Sequence, residues 1–561
     1  NNFCTNATFS QDSAMSVYYG SVQAGANTRG GANTSFNINY NSSLIDAYAN
    51  VGYHHRKREG GSWSEQNNNN TNTYQRYKAD NSGQGNNLFT RAGITLHATK
   101  KDDISLSGMF TLGNHKNSSL TPYEYGTIGS LLNSSLMNRS TSSNNDMRMM
   151  HAEFDYRHNF SDKHYFDFSV GYNKWKADNE NIFQDSTTYF DAAGYPLATP
   201  STSGSYQYRP MYVNNRSWEI KFDYENQISK AMRLQAGYQA NLSKENTPQE
   251  SFVDRNSWAG YNLVEDQLYY NRFIYKNDVH ALYTTLSYNS GKFGLMAGLR
   301  GEYWKVNTES YSWAQEHDAS LRNQPFKKDY FQLFPSIFMS YQLTENDQLQ
   351  LNYTRRLRRP WGGELNSFRN TSDASLISFG NPELTPEYSN SFSLNYLRTW
   401  REHSLLVSAY YRPTTDVMQR ITYRSSTDGL LYQTNFNVAK STSTGLELTA
   451  RNRLFRILNL PTSANFYYYK LDGFSFDIDG QTITGQGNSN FTWNARMQAS
   501  LMLPYDMSVQ LTGNYNSRQN LAQGYRSPSG SVDFGFRKSF FNKLLVLSVN
   551  CRDLLGTRKW K

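Results

Sequence analysis

The 561-residue chain has no stretch approaching the ~20 consecutive apolar residues that a membrane helix needs. It has only two cysteines, Cys4 and Cys551, which make no disulfide framework. They read as two unrelated thiols, able to pair only if the chain ends meet in space. Catalytic signatures are also missing: there is no GxSxG elbow, no HExxH and no CxxC. The ten histidines are scattered, and His54 and His55 are adjacent, so on a strand they point to opposite faces and cannot share a metal. No enzyme, metal or cofactor is expected. The net charge of +9 is dispersed through turns, strand ends and loops rather than gathered on one surface, which argues against a nucleic-acid partner. No initiator Met or signal peptide precedes Asn1, which fits a mature form, a fragment or an ordered part.

What is present is a rhythm. Segments of about ten residues carry apolar side chains at every second position, the pattern of strands that cross a bilayer. In Tyr165 to Trp175, Phe166, Phe168, Val170 and Tyr172 alternate with Asp167, Ser169, Gly171 and Asn173. In Ser217 to Ile228, Trp218, Ile220, Phe222 and Tyr224 alternate with Glu219, Lys221, Asp223 and Glu225. Charges on the second face would cost roughly 2–4 kcal/mol each at the bilayer midplane, so that face is assigned to a wet lumen. The mean hydropathy of -0.74 fits the same picture, because half of every strand and all the loops are polar. Aromatics make up 15% of the chain, as expected where rings form girdles at both membrane interfaces.

The connections alternate in length. Short polar turns occur at Lys101 to Asp103, Ser161 to Lys163, Ser229-Lys230, Asn289 to Lys292, Thr344 to Asp347 and Pro504 to Asp506. Long segments run from Arg58 to Asn86, Gly113 to Asp146, Ala177 to Arg216, Ser243 to Asn277 and Val306 to Lys328. The short turns are assigned to the periplasm and the long loops to the outside. The fold expected is therefore all-β, a transmembrane antiparallel up-and-down barrel. Residues 1–16 are read as a segment leading into it and residues 17–561 as the barrel. Counting from Val17 gives about 21 strands; barrels have even counts and tolerate no bare edge in lipid, so one closing strand is expected beyond Lys561, for about 22. Asn67 to Asn70 is a low-complexity stretch read as a solvated loop, with a recognition loop as the alternative.

From Phe331 onward several motifs stand out: FQLFPSIFMS at Phe331 to Ser340, NYTRRLRRP at Asn352 to Pro360, ELNSFRN at Glu364 to Asn370 and SFGNPELTPE at Ser378 to Glu387. Gly445 to Leu448, Asp533 to Phe540 and Asp553 to Trp560 continue the series. These residues resemble the barrel of TonB-dependent receptors, in the outer-membrane β-barrel family abundant in Bacteroidota. The resemblance implies 22 strands, a plug domain and TonB box upstream of the barrel, and capture of a scarce ligand by the outer loops. No plug is visible in this sequence, so contact with the TonB complex would run through a plug not present in it. The partners so implied are outer-membrane lipids, lipopolysaccharide and TonB. The alternatives are a scaffold barrel of a lipoprotein-containing secretion or assembly complex, with surface lipoproteins as partners, and a passive porin.

Two groups are candidate ligand residues. Loop aromatics, among them Trp258, Tyr261, Trp304 and Trp313, offer flat contact area at low entropic cost, with an interfacial girdle as the competing role. The cluster Arg355 to Arg359, in particular Arg356 and Arg359, can meet carboxylates or phosphates, with pairing to Glu364, Glu383 or Glu387 as the structural alternative. Asn381, Pro382, Glu383, Pro386 and Glu387 are read as structural, because each proline holds the residue before it extended.

Overall fold

The computed structural model describes residues 2–13, 16–197, 202–521 and 523–557. Arg558 to Lys561, the end of the last sequence landmark, lie outside the described residues. Twenty-two strands form the wall: β1 Asn2–Ser13, β2 Ser16–Asn27, β3 Ala32–Ser42, β4 Ile45–Asn68, β5 Thr73–His97, β6 Asp102–Thr127, β7 Asn133–Ser161, β8 His164–Tyr189, β9 Thr202–Gln227, β10 Met232–Gln249 and β11 Asn271–Ser290. They continue with β12 Phe293–Tyr311, β13 Phe326–Gln342, β14 Asp347–Arg358, β15 Glu387–Trp400, β16 His403–Arg424, β17 Leu431–Arg451, β18 Thr462–Leu471, β19 Asn488–Leu503, β20 Met507–Asn516, β21 Ser529–Phe540 and β22 Leu545–Cys551. Each pairs antiparallel with the strand before and after it, and β22 pairs back onto β1 from Asn2↔Asn550 to Ala7↔Leu545. The ladder is a ring, so no edge is left bare to lipid.

This corrects the expectation of a closing strand beyond Lys561. The twenty-second strand is Asn2–Ser13, within the segment read as a lead-in. Its sequence, NFCTNATFSQDS, is mostly small and polar and carries little apolar alternation. Backbone pairing on both sides makes it a strand, a cause that periodicity does not report. The chain ends do meet, but the register sets Cys4 opposite Ser548, not Cys551, and Cys551 is a free thiol.

The alternation decides which side of the wall faces lipid. On β13, Phe331, Leu333, Ile337, Met339 and Tyr341 are all exposed, every second residue, as are Leu349 and Leu351 on β14 and Trp218 and Phe222 on β9. Such a greasy outer surface is stable only against hydrocarbon. The opposite face is polar and knitted across strands: Arg157 donates twice to Asp167 at 2.6 and 2.7 Å, Gln239 donates to Glu219 at 2.9 Å and Gln235 to Glu225 at 2.7 Å.

The long outer connections are less irregular than their composition suggests. β4 runs to Asn68 and β5 resumes at Thr73, so most of Arg58 to Asn86 is a continued hairpin rather than a loop. The same holds for Gly113 to Asp146, inside β6 and β7. Above the membrane both faces of a strand meet water or other polar groups, so the apolar alternation lapses while the backbone ladder goes on.

Candidate functional site: a segment folded into the barrel mouth

The connections β4–β5, β6–β7 and β8–β9 continue as paired hairpins. The segment from Arg359 to Pro386, between β14 and β15, folds inward. Its start and end are fixed by one compact motif. The short helix α1, Gly362–Leu365, is followed by a return in which Gly380 N–H donates to Asn366 O at 2.8 Å and Asn381 N–H donates to Glu364 O at 2.7 Å. A Cβ at Gly380 would lie 2.5 Å from Asn366 O and 2.6 Å from Glu364 O, both backbone atoms, so only glycine fits there. Asn381 accepts from the Glu383 N–H at 3.0 Å and donates to Asn435 O at 3.1 Å; the Thr385 N–H donates to Asn437 at 2.8 Å. Pro386 is fully buried. The side chains of the sequence motif GNPELTPE thus shape the turn and clip it to β17.

An apolar seam holds the segment to the inner wall. Leu365, 1% exposed, and Leu384 pack with Phe273, Tyr275 and Val279 of β11 and Trp304 and Val306 of β12. Trp304 is 2% exposed, stacks on Tyr330 with centroids 4.7 Å apart and donates its indole N–H to Asn277. Leu376–Ser378 then adds a parallel pairing to Leu431–Gln433 at the top of β17.

The tip reaches the far strands and is held by polar contacts. Asp373 accepts from Tyr123 of β6 at 3.1 Å and from Tyr77 of β5 at 3.4 Å; burial pushes the Tyr123 hydroxyl up. Arg139 of β7 donates from Nη1 to Thr371 O at 2.8 Å while its Nε and Nη2 hold Asp185 of β8 at 2.6 and 2.7 Å. Burial pulls Arg139 down, but the Asp185 carboxylate more than offsets this and the net direction is up. Arg209 of β9, 2% exposed, donates to the Thr371 hydroxyl and to Gln207 at 2.8 Å, and lies 4.0 Å from the centroid of Tyr269. Burial lowers it to about 10, with Arg139 nearby acting in the same sense. One segment therefore ties together β5, β6, β7, β9, β11, β12 and β17 across the mouth.

The sequence candidates fall in different places. Arg359 pairs with Glu302, which Arg300 also holds at 2.6 Å, and its guanidinium lies 5.2 Å from the Trp304 centroid. Arg358 pairs with Glu364 at 2.6 Å and with Glu387 at 3.8 Å, and Glu387 also accepts from the Met418 N–H at 2.6 Å. Arg356, by strand alternation on the lumen face, is exposed and has no ion-pair partner among the described residues. Trp258 is 61% and Tyr261 84% exposed, on the loop between β10 and β11. Trp313 stacks on His317 at 4.2 Å within the short helical turn Trp313–His317, between β12 and β13. Trp258, Tyr261, Trp304 and Trp313 make no ring contact with one another among the described residues. Composition alone did not single out Arg139, Asp185, Arg209 or Asp373, since nothing local marks a partner that lies on another strand.

Beside the inserted segment is a recess of about 300 Å³, lined by Trp361, Glu364, Phe368, Phe379, Arg420 and Gln433 among others. It mixes rings, a carboxylate and a guanidinium, the makings of a site for a polar ligand with a flat or apolar part.

Comparison with known proteins agrees with this architecture. Residues 158–561 match the model of the outer membrane protein beta-barrel family. No curated protein matches. Among solved structures, the siderophore receptor PiuA from Acinetobacter baumannii is similar with a TM-score of 0.61 at 11% identity, covering 98% of this chain and 82% of that one. The copper transporter OprC gives a TM-score of 0.57 at 12% identity, over 99% and 75% of the two chains. The ferric-catecholate import receptor Fiu from E. coli K12 gives 0.55 at 11%, over 99% and 77%. At such identities the likeness establishes the fold alone, the large β-barrel that these receptors and transporters share. The lipid-facing outer surface and the family match together place the protein in the bacterial outer membrane. The chain belongs to the outer membrane protein beta-barrel family.

Proposed function

We propose that the protein is an import receptor: it captures an extracellular ligand at the mouth and passes it to the periplasm, driven by the TonB complex. The observation that carries this reading is the inserted segment Arg359 to Pro386, which is anchored at both ends and at its tip and so lines the mouth with fixed side chains. A fixed lining pre-organises a binding site, which lowers the entropic cost of ligand capture. The solved neighbours are named for siderophore, copper and ferric-catecholate traffic, which supports a chelate or metal complex as one class of cargo. Trp258, Tyr261 and Arg356 present free surface at the rim and lumen and are the residues proposed to touch it first.

The test is deletion of the gene followed by uptake assays. Loss of uptake or growth on one limiting ligand is expected. Unchanged uptake of siderophores, cobalamin, peptides and sugars alike would sink the reading, as would steady, ligand-independent conductance of the native protein in planar bilayers.

A further inference from the structure

Several charges of the inner wall are held in pairs, among them Arg157–Asp167 and Lys221–Asp223; one group on the outer wall is not. On the outward face of β8, β9, β10 and β11 four cations stand in register: Lys174↔Arg216, Arg216↔Lys244 and Lys244↔Lys276. One step further from the membrane, Lys176 stands beside Arg148 of β7. None of these six has an ion-pair partner among the described residues. The carboxylates nearest on this face are Asp278, opposite Leu242 on the row below, and the cross-strand neighbours Asp146 and Asp178, one step above Arg148 and Lys176. They leave the patch with an excess of positive charge.

Its height is fixed by the row beneath. Tyr172 and Trp218 are cross-strand partners, with ring centroids 4.6 Å apart, and below them come the outward Val170 and Ile220. Aromatic rings mark the edge of the hydrocarbon layer, so the cations sit at headgroup level on the extracellular side. Between them is an outward-facing recess of about 240 Å³, lined by Tyr172, Lys174, Lys176, Asn214, Arg216 and Lys244 among others. Cations added for solubility would be scattered and interleaved with acids, as at the periplasmic turns, where Lys101 adjoins Asp102 and Lys163 adjoins Asp162.

We propose that this recess binds the phosphate groups of a phosphorylated glycolipid of the outer leaflet, with Lys174, Arg216 and Lys244 as the phosphate ligands. The ammonium and guanidinium groups donate charge-assisted hydrogen bonds to phosphate oxygens, and the ring pair Tyr172–Trp218 meets the first carbons of the acyl chains. The site follows from the outer-membrane location and is independent of which cargo, if any, the lumen carries.

The test is native mass spectrometry of the detergent-purified chain titrated with bis-phosphorylated lipid A and with dephosphorylated lipid A. The wild type should prefer the phosphorylated probe. Lys174→Gln/Arg216→Gln/Lys244→Gln should weaken that binding roughly 100-fold and erase the preference, while Lys163→Gln/Lys230→Gln/Lys292→Gln, which removes equal charge at the periplasmic edge, should leave it unchanged. Heat-modified gel migration checks that each variant is folded. Should the first triple variant not fold, Arg216→Gln and Lys244→Gln alone are each expected to weaken binding about fivefold. Unaltered affinity in folded variants, or no preference in the wild type, would overturn the proposal. Inorganic phosphate binding as tightly as lipid A would overturn it in favour of a free-anion site.

Discussion

Arg139 and Asp185, 46 residues apart on neighbouring strands, form a buried two-pronged ion pair at 2.6 and 2.7 Å, and the remaining Arg139 nitrogen Nη1 carries the tip of the inserted segment through Thr371 O at 2.8 Å. A wall contact and a mouth contact thus share one guanidinium. Removing one partner of such a pair strands the other charge, at a cost of about 3–5 kcal/mol, whereas replacing both with apolar residues is often close to neutral. Asp185→Ala should therefore lower thermal stability in detergent and expose residues 366–379 to protease. Arg139→Met/Asp185→Leu should recover most of the stability but keep the protease sensitivity, because Thr371 O has lost its donor. Equal stability of the single and double variants would contradict the arrangement.

Two of the three tryptophans proposed from sequence as ligand contacts, Trp304 and Trp258, should separate cleanly. Trp304→Ala empties a packed site and should cost about 3–5 kcal/mol in stability. Trp258→Ala and Tyr261→Ala should change stability by no more than about 0.5 kcal/mol and act on ligand affinity alone. Thermal melts read beside uptake kinetics decide this.

Gly380→Ala pushes a methyl group onto two backbone carbonyls that have no room to move without unmaking the turn. A cost of about 1–3 kcal/mol is expected, together with loss of the Asn381–Glu364 backbone bond. Hydrogen exchange should speed up over residues 362–386 and stay unchanged in the barrel strands.

Sidedness gives a sharper test of the wall. Leu351 faces lipid and its neighbour Gln350 faces the lumen. Leu351→Arg should cost roughly 2–4 kcal/mol of folding free energy into vesicles and Gln350→Arg close to nothing. Similar costs for both would break the assignment of faces.

Acid should loosen the outer loop that carries Trp258 and Tyr261. Asp254 accepts from the backbone N–H groups of Asn262 at 2.9 Å and Asn256 at 3.0 Å, and these bonds hold its carboxyl below the usual carboxylate range. A depressed folded-state pKa gives stability that is fully present above the ordinary carboxylate value and lost as pH falls through the depressed one. Protease cleavage of 254–262 should rise in that acidic window, and Asp254→Ala should show the same susceptibility at neutral pH.

The match between sequence and structure differs from part to part. Trp218 to Tyr224 and Phe331 to Tyr341 declare both their strand and their face, because hydrocarbon on one side and water on the other enforce a period of two. Asn2–Ser13 declares neither: its place as the strand that closes the ring rests on backbone pairing with β2 and β22, which any side-chain pattern permits. The outer hairpins sit between these cases. Their ladders continue, but with water on both sides no alternation records them.

The same division holds for the mouth. The motif residues Gly380, Asn381 and Pro386 are local, and their steric demands fix a turn wherever they occur. That the turn should fold into the lumen, bury Leu365 and Leu384 against β11 and β12, and set Thr371 and Asp373 before Arg139 and Tyr123 is decided by closure of the barrel. Closure brings to one level residues remote in the chain, such as Tyr77 and Asp373, 296 positions apart. By itself the sequence determined a lipid-spanning antiparallel barrel, since a bilayer constrains each strand separately. Only the tertiary structure decided where the ring closes, which segment enters it and which charges remain unpaired on its outer wall, since each of these depends on strands meeting that are remote in the chain.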